Sequence, residues 1–189
     1  MLTRRQWAGV ALFVILLSLA AQISFALPGI ALPQTAQTVV VLLVGVFLGF
    51  NAAAFAIFCY LALGAAGVPV FSEGGAGFAT LFGPSGGYLI AFWFTAAVLG
   101  LVTDSGHLKP GTWQLVLWML LGHAMILLIG AGMLSATLGI PAAWFNGVQP
   151  FIPGALVKSL IAAVVIWTCG SYRSWFRENL PWQKQTTRP

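Results

Sequence analysis

The stretch that most limits what this chain can become runs from Thr35 to Ala66, about 32 residues without one charged side chain. In hydrocarbon, backbone N–H and C=O groups find no water, so they must be satisfied within a helix or a closed barrel. One upright helix needs about 20 residues to cross about 30 Å of hydrocarbon. The run is too long for a single crossing. Gly49-Phe50-Asn51 in its middle supplies turn formers. That predicts two short helices, about Thr35–Leu48 and Asn51–Ala66. Each is short for a full crossing, so the pair is expected to tilt or to end beside cavities. Gly45 and Gly49 form a GxxxG, which permits close helix contact.

Similar runs recur along the chain. The first span reads from about Gln6 to Leu27, behind Arg4 and Arg5, and Pro28-Gly29 ends it. Ala20-Ala21 makes a small-residue step like that of a cleaved leader, but removing this run would leave an odd number of spans and spoil the charge bias, so it reads as a span. Further spans follow at about Tyr88–Val102, Trp113–Leu138 and Phe151–Thr168, with Gly139 to Gln149 expected as a loop carrying Trp144 at the interface. Hydrophobic residues make up 60% of the chain and charged residues 6%, which no water-soluble domain of this length shows. The expected fold is all-α: a polytopic membrane protein, one domain over residues 1–189, with six transmembrane helices and a glycine-rich external loop between helices 3 and 4.

Six spans put both termini on one side. Arg4, Arg5, Lys109, Arg173, Arg177, Lys184 and Arg188 then share that side, and the opposite loops hold no Lys or Arg. By the positive-inside rule the N and C termini are expected in the cytoplasm of a cell-membrane protein. The net charge of +5 follows this topology and implies no nucleic-acid partner. The loop Gly67–Gly87 is then external. Glycines punctuate it and Phe71, Phe78 and Phe82 are spread along it, which suggests a segment packed back over the membrane domain rather than a flexible polar linker. No GxxxxGK[ST] phosphate loop occurs. Two distant histidines and two cysteines in apolar runs share no ligand spacing, so neither metal nor any other cofactor is expected.

Lys158 is the chemical focus. It lies in the outer half of the last span, about one and a half turns after Pro150 and Pro153, which suit a helix start. An ammonium there needs a partner or a wet cavity. Its helical neighbours Gly154, Ala155 and Ala162 leave room for an anion beside it. The competing reading is a snorkelling side chain whose stem covers apolar surface. Gln37 offers an amide that donates and accepts together, which suits a urea or amide ligand or equally holds helices together. His123, mid-span, reads as a proton relay or base, or as a histidine bonded to a neighbouring helix. Gly83-Pro84-Ser85-Gly86 with His123 resembles the serine–histidine pair of rhomboid intramembrane proteases. Against this, the histidine falls on the fifth span rather than the sixth, lies deeper than Ser85, and leaves Lys158 without a role.

Taken together, Leu-Pro-Gln-Thr-Ala-Gln-Thr at 32–38, Gly-Val-Pro-Val-Phe at 67–71, Gly-Pro-Ser-Gly-Gly-Tyr-Leu at 83–89, Gly-His at 122–123 and Pro-Phe-Ile-Pro-Gly-x-Leu-x-Lys at 150–158 resemble the BioY family. These are biotin-specific substrate-binding subunits of energy-coupling-factor transporters. The resemblance implies a transport subunit rather than an enzyme. It would bind biotin near the outer face and work with a transmembrane coupling protein, two ATPases and surrounding membrane lipid. It further implies that Lys158 meets the valerate carboxylate and that Gln37 lies at the pocket; Ala155, Tyr88, Phe71 and Glu73 complete the expected binding set. The chain departs from the family where Ala155 replaces the usual Asp, which leaves open another small anionic ligand or a degenerated pocket. It also departs in the first span, where Ala8 is followed by Leu12 and Ala11 by Ile15 instead of small residues four apart; Ala52 and Ala56 show that spacing on the third span.

Overall fold

The computed structural model describes residues 2–25, 32–108 and 113–169. Helix α1, Arg4–Gln22, opens on a capping box in which the Thr3 hydroxyl accepts from the Gln6 N–H at 3.2 Å and the Gln6 side chain accepts from the Thr3 N–H at 2.9 Å. It ends earlier than the apolar run does, and the expected Pro28-Gly29 stop lies outside the described residues. Beyond it Ser24–Phe25 (β1) pairs antiparallel with Gln34–Thr35 (β2), a two-residue ribbon that no alternation in the sequence announces.

Helix α2, Gln37–Ala65, is two helical arms that meet at Gly49, whose φ of 72° and ψ of 175° are not helical. The side chains of Gln37 and Tyr60 are hydrogen-bonded. Along a straight helix 23 residues would separate them by about 34 Å. The two arms, 37–48 and 50–65, are therefore an antiparallel hairpin, as the turn formers predict. The first arm is about 18 Å long at 1.5 Å per residue, and its Gln37 end stops at a cavity that Gln37 and Thr38 line.

After a 3-10 turn, Ser72–Gly74, and a five-residue helix α3, Phe78–Phe82, come α4, Gly86–Asp104, and α5, Trp113–Leu138. The stretch expected as a loop before the last span is instead helix α6, Ile140–Gly147, with Pro141 in its first turn and a 3-10 turn, Gln149–Phe151, behind it. A proline fits there because the first N–H groups of a helix have no internal acceptor. Helix α7 is Ile152–Thr168. Among the described residues, five helical stretches are long and apolar enough to cross a membrane. Because α2 folds back at Gly49, the chain makes six passes.

Small residues bring the backbones together, since lipid gives helices no hydrophobic reason to associate and packing must do so. A side chain at Gly45 would meet Leu99 Cβ at 2.7 Å, and one at Gly100 would meet the Gly49–Phe50 backbone at 2.6–2.7 Å. Ala52, Ala53 and Ala56 are fully buried beside Leu17, Val44 and Ile57. Ala52 and Ala56 therefore serve the interior and offer no outer face. A second cluster, including Leu42, Leu99, Met119, Ala162 and Ile166, ties α2, α4, α5 and α7 together.

Contacts sort the two ends of the bundle. Gly9 abuts Leu48, and the Phe50 N–H donates to Asp104 Oδ2 at 2.9 Å, so the start of α1, the Gly49 turn and the end of α4 share one end. Gln22, the ribbon, the glycine-rich loop and the start of α7 share the other.

Candidate functional site

At that second end lies a cavity of about 80 Å³. Tyr88, Leu89, Phe92, Ile126 and Leu127 give it apolar walls, and Phe151 closes one side. Its polar groups come from distant parts of the sequence: Thr35, Gln37 and Thr38 from the second pass and its approach, Ser72 and Ser85 from the ends of the loop, and Lys158 from α7. An apolar chamber with a few convergent polar groups is the usual form of a small-molecule site.

Lys158 is half-buried, and its Nζ donates to Gln34 Oε1 at 3.4 Å. The Gln34 amide is held at its other end too, where Nε2 donates to the Pro150 carbonyl at 3.0 Å. Among the described residues the acids are Glu73, exposed on the loop, and Asp104, at the opposite end of the bundle.

Gln37 is 3% exposed. Its Nε2 donates to the Tyr60 hydroxyl, which donates in turn to the Val70 carbonyl at 2.9 Å. The amide thus joins the two arms of α2 and the start of the loop while it lines the cavity. Tyr88 also lines the cavity. Its hydroxyl donates to the Gly147 carbonyl at 2.8 Å and its ring lies 6.4 Å from that of Phe151, which fixes it against α6. The Thr38 hydroxyl, also on the cavity wall, is buried with no hydrogen-bond partner among the described residues, which leaves it available to a ligand.

Three residues of the expected set stand outside this lining. Phe71 is fully buried, 5.5 Å edge-on from Tyr60 and pressed onto Gly64, where any side chain would overlap its ring. It anchors the loop to the hairpin. Glu73 is exposed, in left-handed backbone at φ 57°. Ala155 is buried one turn before Lys158 and carries no polar group. Of the loop's three phenylalanines only Phe71 packs inward; Phe78 and Phe82 are 66% and 83% exposed.

The reading of the sequence passed over three partners. Gln22, at the end of α1, donates to the Phe71 carbonyl at 3.0 Å and accepts from the Gly74 N–H at 3.2 Å, clamping the loop. Gln34 holds Lys158. Ser159 meets His123 Nδ1 at 2.8 Å, both of them buried. An amide at the end of an apolar run was the available signal for Gln22 and Gln34. The histidine–serine contact joins residues 36 apart on different helices, and spacing does not reveal it. His123 thus pairs with Ser159, not with Ser85, which counts against a Ser85–His123 protease pair.

A family model described as the BioY family matches residues 1–174. A probable biotin transporter BioY of Pyrococcus horikoshii is 38% identical over 156 residues, covering 82% of this chain and 90% of that one. Biotin transporter BioY2 of Lactococcus lactis is 34% identical, covering 74% and 76%. A biotin transporter BioY of Thermotoga maritima is 32% identical, covering 85% and 93%. A crystal structure of the S-component for biotin from an ECF-type ABC transporter superposes with a TM-score of 0.81, over 90% of this chain and 95% of that one, at 24% identity. At that identity the superposition speaks for the shared fold.

Proposed function

This chain belongs to the BioY family, and we propose that it is the membrane-embedded substrate-binding subunit for biotin uptake. The observation that carries the proposal is the single ammonium of Lys158 on the wall of an otherwise uncharged, largely apolar chamber. Biotin pairs a carboxylate with an apolar chain and a cyclic urea. Lys158 suits the carboxylate, because an anion that leaves water for such a chamber needs a fixed cation. The free hydroxyl of Thr38 and the amide of Gln37 suit the urea, which both donates and accepts. Tyr88 and Phe92 supply flat apolar surface between them.

The basic residues favour an orientation in which the Arg4–Arg5 end faces the cytoplasm, so that the chamber lies toward the outside. Exposed Leu12, Ile15, Leu19, Phe58, Leu128 and Val164 suit contact with lipid. The chain itself carries no phosphate-loop motif. Movement of the vitamin inward then falls to an energy-coupling membrane protein and two ATPase subunits, and this subunit performs no chemistry on its ligand.

The test is binding of labelled biotin to the purified protein, with and without excess desthiobiotin or thiamine. Displacement by desthiobiotin alone is the expected result. A protein that ignores biotin but retains another small carboxylate would transfer the site to a different anion, the reading that the missing acid at Ala155 keeps in view.

A further inference from the structure

We propose that Gln34 is a specificity-determining residue of this site: it positions the Lys158 ammonium with a neutral acceptor and so leaves the full positive charge to the ligand. The inference rests on the biotin reading above and goes beyond it.

Three observations carry it. The Gln34 amide is fixed at both ends, accepting from Lys158 Nζ at 3.4 Å and donating to the Pro150 carbonyl at 3.0 Å. It lies against α7 at Gly154, where the absence of a side chain leaves room for its oxygen. Finally, the side chain one turn before Lys158 on α7 is the buried methyl of Ala155, and both described acids, Glu73 and Asp104, stand elsewhere.

The chemistry follows from the kind of acceptor. An ammonium has three N–H donors. Gln34 takes one, in a bond longer than the usual range, and aims the other two without neutralising them. A carboxylate in the same place would form a charge pair, and an incoming anionic ligand would have to compete with it. A neutral amide makes the empty site cationic, and preference for an anionic over a neutral ligand is the consequence.

Gln34→Glu tests this, because the two side chains match in size and differ in charge. Affinities for biotin and for biotin amide, which lacks the negative charge, are measured on wild type, Gln34→Glu and Gln34→Met. Gln34→Glu is expected to weaken biotin about tenfold or more, while biotin amide stays within about threefold of wild type, which also shows that the variant is folded. Gln34→Met, which leaves the ammonium unaimed but still charged, is expected to weaken biotin less than Gln34→Glu does. Equal losses for both ligands in Gln34→Glu would make Gln34 a structural brace and overturn the proposal, as would wild-type affinity for biotin in that variant. A wild-type protein that binds neither ligand would overturn the functional reading and the inference together. Wild-type binding with an unchanged ratio of the two affinities in Gln34→Glu overturns the inference alone.

Discussion

Replacing Lys158 by alanine is expected to separate affinity from stability. In the empty protein the half-buried ammonium has one hydrogen-bond partner among the described residues, the neutral Gln34 amide at 3.4 Å. A charge withdrawn from water with so little in return is costly. Alanine removes that cost, so thermal stability of the empty protein should hold or rise. With ligand present the sign reverses. A charge-assisted hydrogen bond contributes about 1.5–3 kcal/mol, and about 1.4 kcal/mol corresponds to a tenfold change, so biotin should bind roughly 10–100-fold more weakly. Lys158→Arg keeps the charge but presents a broad planar fork where a compact head fits, and should fall between. Biotin amide should distinguish wild type from Lys158→Ala poorly, by less than about threefold. Titration calorimetry on detergent-solubilised protein, with thermal unfolding of the empty form, reads both effects. If Lys158→Ala binds biotin as wild type does, the side chain merely snorkels and the assignment of the pocket to α7 is wrong.

Tyr60→Phe strips the hydroxyl that links Gln37 to the Val70 carbonyl; it should lower unfolding stability by about 1–3 kcal/mol, and an unchanged unfolding midpoint would mean that the link carries no weight. Asp104→Ala removes the acceptor for the Phe50 N–H at the hairpin turn. A loss of about 0.5–2 kcal/mol, as for a helix N-cap, is expected in the same assay, with biotin affinity unchanged because the turn lies at the far end of the bundle. In a background lacking Cys59 and Cys169, single cysteines at Ser72 or Ala76 should react with an impermeant thiol reagent from outside, and biotin should slow them. Adding Gln22→Leu, which cuts both clamps on the loop, should speed labelling of the empty protein; rates indifferent to both biotin and Gln22 would reduce the loop to a connector.

The class and the six passes were legible in the chain because they follow from what is missing. Without charges over such lengths the backbone must satisfy itself in helices, and Gly49-Phe50-Asn51 marks where one run turns back. Lys158, Gln37 and Tyr88 were legible for a related reason: a polar or amphipathic group within an apolar run stands out, and all three line one cavity. Which face of each helix points inward was not legible. A soluble helix declares its buried face by alternating polar and apolar residues, but these helices are apolar all round, so Phe71 inside and Phe82 outside look alike in the chain. The partners of the conspicuous groups were hidden for the same reason. Gln34 reaches Lys158 across 124 residues, and His123 meets Ser159 across 36. The ribbon of Ser24–Phe25 with Gln34–Thr35 carries too few residues for a period, yet it delivers Gln34 to Lys158. The sequence alone thus determined that a lone cation stands in the last apolar run, with a buried partner and a snorkelling reach to the interface both open. Only the packing of α7 against that ribbon decided that a neutral amide answers it, because the contact joins side chains 124 residues apart that nothing short of the tertiary fold brings together.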